Sequence, residues 1–254
     1  MNTRLVLGVA ILAVSALAAL TSSLARAQTS RNTSHPDFSG LWFPGGGRSQ
    51  TPNPLPYNDA AKKLVAEYEQ QFTLDDDPGR YCIWPGMPRA IWGAPFAVEI
   101  AQRPQDISIY WEGYGMYRKI YMADHNPPEP ILASAMGHSI AHWEGDTLVV
   151  ETTDLKPYPY MTRMATSSAA HVVERMRLEE RETNGQKTKY LVNEITLTDP
   201  KVYTEPAQIK ASLAYRTDLQ LLEYTCTDTL WDAYLAERGL TLPDLDALPG
   251  GDEE

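Results

Sequence analysis

Asn184-Gly185 sits between two long runs of alternating residues, His171 to Arg181 and Lys187 to Thr198. Asn-Gly readily takes the positive-φ backbone of a type I′ turn, whose twist matches that of two paired strands. Arms of this length commit the chain to a sheet. In a two-residue loop Thr183 opposes Gln186, and period two then sorts the side chains. Val172, Met176 and Leu178 share one face with Leu197, Asn193 and Leu191, while His171, Arg175, Arg177 and Arg181 take the other. The first is a core face and the second a solvated one. Glu174 breaks the rule, because it lies on the core face opposite Ile195, with Asn193 beside it.

The same alternation recurs upstream. Val98 to Arg103 leads into Asp106 to Glu112, and a Gly113-Tyr114-Gly115 turn leads into Met116 to Met122. A proline-rich loop at Asn126 to Pro130 precedes Ser139 to Trp143 and Asp146 to Thr152, joined at Gly145. A polar loop runs from Asp154 to Ser168, and Gln220 to Cys226 reads as the last strand. Helices are predicted only towards the ends. Asn58 can cap one over Asp59 to Gln71, where Ala61, Leu64, Val65, Tyr68 and Phe72 recur at helical spacing. Thr229 caps a second, short one that Gly239 stops. A meander of antiparallel hairpins, with 19 prolines and 16 glycines at its turns, predicts a mostly β chain closed into an antiparallel β-barrel.

The first 27 residues are read apart from this fold. Arg4 precedes the apolar run LVLGVAILAVSALAAL, and Ala25-Arg26-Ala27 supplies the small-x-small pattern of a cleavage site before Gln28. The alternative is an uncleaved anchor, for which the run is short. The expectation is an exported chain, periplasmic or secreted. Roughly 227 of the 254 residues then remain, enough for one well-buried domain over 28–240. Residues 241–254 are acidic and read as a disordered tail. A net charge of −11 without a basic cluster argues against nucleic acid and anionic membrane surfaces as partners.

Cys82 and Cys226 are the only two cysteines. An even count in an exported chain reads as one disulfide, closing a loop of about 145 residues worth about 5 kcal/mol in the chain-entropy model. No C-x-x-C spacing favours redox or thiolate chemistry.

Two resemblances bear on this reading. Gly40-Leu41-Trp42 is similar to the G-x-W motif that opens the first strand of lipocalins. That likeness implies an eight-stranded barrel with the tryptophan plugging one end. DFSGLW, CIWPGMPR, YRKIYMADH, GHSIAHWEGDTLVVET and HVVERMRL together resemble an uncharacterised family of exported bacterial proteins. This implies export and a β fold, and no catalytic assignment.

Among residues that carry chemistry, Glu174 is the first candidate. A carboxylate on an apolar face is costly to ionise unless paired, and such a group either performs acid/base work or accepts bonds from an inward arginine or a loop amide. His138, Ile140 and His142 share one face of the Ser139 strand, and Ala141, Leu148 and Val150 take the other. If the loop is Glu144-Gly145, His138 lies opposite Glu151, an arrangement that orients an imidazole. Which face is the lumen stays open. If the histidine face looks inward, His138 is an acid/base candidate, with Glu151 and Glu174 as partners; if not, the histidines decorate an outer surface. His138 and His142 lie about 13 Å apart along a strand, too far for one metal, and no cofactor motif is present. Tyr110, Trp111, Tyr117 and Trp92 are aromatic candidates for holding a ligand, with Arg89, Arg118 and Asn193 as polar ones. For the two arginines the alternative is a structural or solvated place.

The function expected from these residues is acid/base chemistry without a cofactor on an apolar or aromatic small molecule: an isomerase, lyase or hydratase, or cyclase. The alternative is a periplasmic binding or carrier protein that uses the same cavity. A filled barrel with an interaction role is a third possibility.

Overall fold

The computed structural model describes residues 35–45, 50–73, 76–84, 86–92, 96–125, 129–158, 164–183 and 185–240. The expected leader, residues 1–27, and the acidic tail, 241–254, lie outside the described residues. Among the described residues, 38–240 belong to one compact unit and 35–37 fall outside it.

Nine strands close into a barrel in chain order. They are β1 (Gly40–Pro44), β2 (Val98–Gln102), β3 (Asp106–Trp111), β4 (Met116–Met122), β5 (His138–Glu144), β6 (Thr147–Thr153), β7 (His171–Thr183), β8 (Gln186–Thr198) and β9 (Ala207–Arg216). β9 closes the ring against β1, pairing Tyr215 with Trp42. A ring of odd number cannot be antiparallel throughout, so at least one neighbouring pair must be parallel. Here it is β4 and β5, with Ile120 opposite Ser139. The expected antiparallel meander is corrected at this one seam, where β4 and β5 run parallel.

The β7–β8 hairpin has the register that Asn184-Gly185 predicts: Thr183 pairs with Gln186, and Glu174 with Ile195. Gly185 takes φ +76°, the left-handed backbone of this turn. The β5–β6 register differs from expectation. Gly145-Asp146 form the loop, so Glu144 pairs with Thr147 and His138 with Thr153. Gly145 at φ +59° serves as the first loop residue rather than the second. The slip moves each partner by two positions, which preserves the faces. It does move Glu151 away from His138 and opposite Ile140.

The last strand is also corrected. Residues 220–225 are not a strand, and the closing strand is β9, whose Ala207, Ile209 and Ala211 alternate into the core. Helix α1 (Asp59–Glu69) begins as predicted, with Asn58 Oδ1 accepting from the Ala61 amide at 2.8 Å. Of its apolar face Ala61 is buried and Leu64 points to solvent. A four-residue helix, α2 (Arg89–Trp92), precedes β2. Helix α3 (Cys226–Arg238) starts at Cys226 rather than after Thr229, and Gly239 ends it as expected.

Lumen-facing residues fill most of the barrel. Ile107, Ile120, Leu148, Val150, Val172, Ile195 and Leu197 are all buried in one cluster. Trp42 is fully buried, donates Nε1–H to the Phe38 carbonyl and meets Tyr215 edge-on, as a plugging tryptophan would. Phe38 in turn contacts Trp143, so aromatics close the end where β1 begins. This closed barrel is compatible with a lipocalin-like one, at nine strands instead of eight. Cys82 and Cys226 are bonded, tying the segment before α2 to the start of α3. A disulfide of this kind suggests a non-reducing compartment. Among the described residues, no helix is long and apolar enough to cross a membrane.

Candidate functional site

Inside the barrel, five polar side chains from five strands converge. Arg118 on β4 points inward between Met116 and Ile120, because period two leaves it no other face. Its Nη2 donates to Glu174 on β7 in a short ion pair and to Thr152 Oγ1 on β6 at 2.9 Å. Its Nε donates to Ser139 Oγ on β5 at 3.1 Å, and the Ser139 and Thr152 hydroxyls are 3.0 Å apart. The other Glu174 oxygen accepts from Asn193 Nδ2 on β8 at 2.8 Å. Glu174 is 0% exposed, Arg118 2% and Asn193 4%.

This arrangement answers the question posed by a carboxylate on a core face. Two ions placed this deep lose their hydration, and only mutual attraction with further hydrogen bonds offsets that loss. Each Glu174 oxygen has a donor. The carboxylate also fixes the amide of Asn193, since only its NH₂ end can face an acceptor. Two groups are left over. Arg118 Nη1 and Asn193 Oδ1 are both buried and have no hydrogen-bond partner among the described residues. One is a donor and the other an acceptor.

Arg118, Glu174 and Asn193 form the polar part of the wall of a lumenal cavity of about 20 Å³. Ile100, Ile109, Trp111, Met176, Leu191 and Leu213 supply apolar wall, and Ile91 of α2 contributes from one end. A space of this size holds about one water. The helix that carries Ile91 is held by Arg89, which pairs with Asp77 at 3.2 Å and donates to the Tyr158 hydroxyl at 2.8 Å.

The predicted ligand residues therefore divide. Trp111, Arg118 and Asn193 line the cavity with Glu174. Tyr110 and Tyr117 do not: they alternate with Ile109 and Arg118, so their rings are exposed on the outer face. Tyr110 borders an outer groove of about 230 Å³ with Tyr114, Tyr224 and the disulfide. Arg89 anchors the capping helix and is absent from the cavity wall. Trp92 ends that helix, and its side chain lies outside the described residues.

The histidines take the outer face, so the lumen belongs to Ser139, Ala141, Leu148, Val150 and Thr152. His138 and Glu174 consequently occupy opposite sides of the barrel wall. Glu151 is exposed, and its histidine neighbour is His171, at 3.4 Å, rather than His138. His142 lies 3.4 Å from Glu144 at the turn. His138 borders a second outer groove of about 230 Å³, formed where the β4–β5 crossover passes over β4, together with Lys119, Tyr121, Ile131 and Leu132. Its ring is 5.9 Å from that of Tyr121, and its Nε2 is shielded from solvent with no partner among the described residues. The Lys119 ammonium here is held above its usual range by a hydrogen bond to Asp106.

Ser139 and Thr152 were not singled out from the sequence as members of the lumenal network. The signal that finds them is parity, because they share the aliphatic face of Ala141, Leu148 and Val150. No protein-family model matches the chain, and the comparison with curated proteins returned no match.

Proposed function

We propose that this protein is an exported binding barrel, which holds a small, mostly apolar, uncharged molecule in its lumen. The observation that carries the reading is the pair of buried atoms without partners, Arg118 Nη1 and Asn193 Oδ1, in an otherwise apolar cavity wall. Buried polar groups in folded proteins nearly always find partners, so a donor and an acceptor left over together are suited to a guest. The Arg118–Glu174 pair is already neutral as a unit, which disfavours a charged guest in a dry lumen. Entry runs past α2, whose four residues have to move to widen a water-sized space. The disulfide and the N-terminal sequence support a periplasmic or secreted location, and the acidic chain disfavours nucleic acid as a partner.

The test is titration with an apolar probe followed by intrinsic tryptophan fluorescence, to which Trp111 in the cavity wall contributes, in the wild type and in Ala211→Leu. Ala211 lines the cavity, so the added bulk fills the guest's space. Saturable binding that the substitution abolishes, with circular dichroism unchanged, is the expected result. Absence of binding, or equal binding by both proteins, overturns the reading.

A second reading keeps an enzyme but moves it. His138 Nε2, shielded and unpartnered in the crossover groove, favours acid/base chemistry there on a small molecule resting on Tyr121. In this form Glu174 and Glu151 take no part. Turnover of a candidate substrate that falls by about 10² or more in His138→Gln supports it.

A further inference from the structure

We infer that the lumenal guest is an alcohol: an apolar body carrying one hydroxyl, which sits between Arg118 Nη1 and Asn193 Oδ1. The inference rests on the lumen-binding reading above and adds the chemistry of the guest's polar end.

Of the five N–H donors of an arginine, Nε–H of Arg118 goes to Ser139, and Nη2 goes to Thr152 and Glu174. Nη1 keeps its two N–H groups, and it is buried. Asn193 has turned its NH₂ to Glu174 and keeps its carbonyl oxygen, also buried. A complementary head group therefore has to accept from the arginine and donate to the amide.

Head groups differ in whether they do both. Ethers, ketones and esters accept and cannot donate, so they leave Asn193 Oδ1 unpaired. An ammonium donates and cannot accept, and it adds a positive charge beside Arg118. A carboxylate accepts only, and adds a negative charge to a lumen whose one ion pair is already balanced. Neutral acids and primary amides have both functions but bring two heteroatoms. Beside the polar groups the cavity of about 20 Å³ holds one heavy atom, so a second heteroatom would have to displace the apolar wall there, and the carbon chain enters only as α2 moves aside. A hydroxyl oxygen is close to a water in size and keeps one donor along with its acceptor lone pairs, so it can pair with both protein atoms. Its carbon chain then lies along Trp111, Ile100 and Leu213, towards the α2 end.

The experiment uses matched probes on the mature, disulfide-bonded protein. 1-Octanol and 1-methoxyheptane are isomers that differ in the hydroxyl hydrogen, and octanoate supplies the charged head. Affinities are read by calorimetry and by intrinsic tryptophan fluorescence. The expected order is octanol first, with the ether about tenfold or more weaker, because it strands a buried acceptor. In Asn193→Leu the alcohol-to-ether ratio falls towards one. The wild-type series does not depend on that variant folding. Equal binding of alcohol and ether, tighter binding of octanoate, or an unchanged ratio in Asn193→Leu each overturns the alcohol assignment and leaves the binding barrel standing. If none of the three probes binds, both the assignment and the barrel reading fall.

Discussion

Arg118 and Glu174, separated by 56 residues in sequence, meet across the lumen as an ion pair with side chains 1% and 0% exposed. Each is in place because its strand alternates, and each makes the other's burial tolerable. Removing one partner leaves an uncompensated buried charge. Glu174→Gln and Arg118→Met are each expected to cost about 3–5 kcal/mol. The double variant loses less than the sum of the two, since it buries no lone charge. Urea denaturation of the wild type, both single variants and the double variant gives the coupling directly. Additive losses would mean that the two charges are solvated in the folded protein.

Gly137 separates two kinds of glycine. Its φ is +65°, and an added Cβ would overlap the Thr153 carbonyl oxygen across the strand pair. Gly145 has a similar φ of +59° but open space around it. Gly145→Ala is expected to cost about 1–2 kcal/mol from backbone conformation alone. Gly137→Ala carries the same strain plus the displacement of a paired strand, and should cost visibly more. Thermal melts of the two variants rank them, and an equal loss would place Gly137 in a looser corner than the structure gives it.

The contrast between the two hairpins shows what alternation can reveal. Around Asn184-Gly185 the turn residues specify the loop, so the register, the inward Glu174 and its neighbour Asn193 all follow from the sequence. Around Gly145 the glycine fits either loop position, and the neighbouring residues do not choose between them. The resulting slip of two leaves faces intact and breaks the His138–Glu151 pair. The lumen face of β5 was harder to read, because Ile140 and Val149 make the histidine face partly apolar as well. β9 is hard to read for a different reason: alanines at 207 and 211 make its core face look weak until neighbouring strands supply the bulk. The partner of Glu174 was the least legible element. Arg118 sits between tyrosine and lysine in sequence, and only barrel closure carries β4 round to β7.

The disulfide joins residues 144 apart and pins α3, a helix with little else to hold it, since Leu235 is its one buried residue. Its loss is expected to cost about 2–5 kcal/mol. The barrel strands do not depend on it for pairing. Cys82→Ser with Cys226→Ser should therefore melt at a lower temperature with the strand signal intact below the transition, and hydrogen exchange should show faster opening over 226–238 than over β7 and β8. Uniform loss of protection would mean that the bridge supports the barrel itself.

Acid should act first on the outer carboxylates. Burial raises the Asp106 carboxyl, but hydrogen bonds from Lys119 and Arg103 outweigh it and hold the group below its ordinary 3.8. A carboxyl depressed on folding stabilises fully above its unfolded value, and that contribution is lost as pH falls below about 4 towards the folded value. Glu194 is lowered in the same direction by Arg177 and Lys210. Asp106→Asn should then lower stability at pH 7, and the gap from wild type should narrow as pH drops below about 4. A gap that stays constant from pH 7 to pH 2 would show that the carboxylate and its two cations do not interact in solution.

His138 decides between the two functional readings. The lumenal site is lined by Arg118, Glu174 and Asn193, and His138 lies on the outer face, in a groove that Arg118 alone of the three also borders. His138→Gln should leave the affinity for 1-octanol within about twofold of wild type, because His138 is absent from the wall of the lumenal cavity. Asn193→Leu should do the reverse, changing octanol affinity and leaving the crossover groove as it is. The two titrations can be run side by side, with strand content checked by circular dichroism. A large loss of octanol affinity in His138→Gln, with the fold unchanged, would mean that the guest occupies the crossover groove, and that the unpartnered atoms of the lumen hold a water instead.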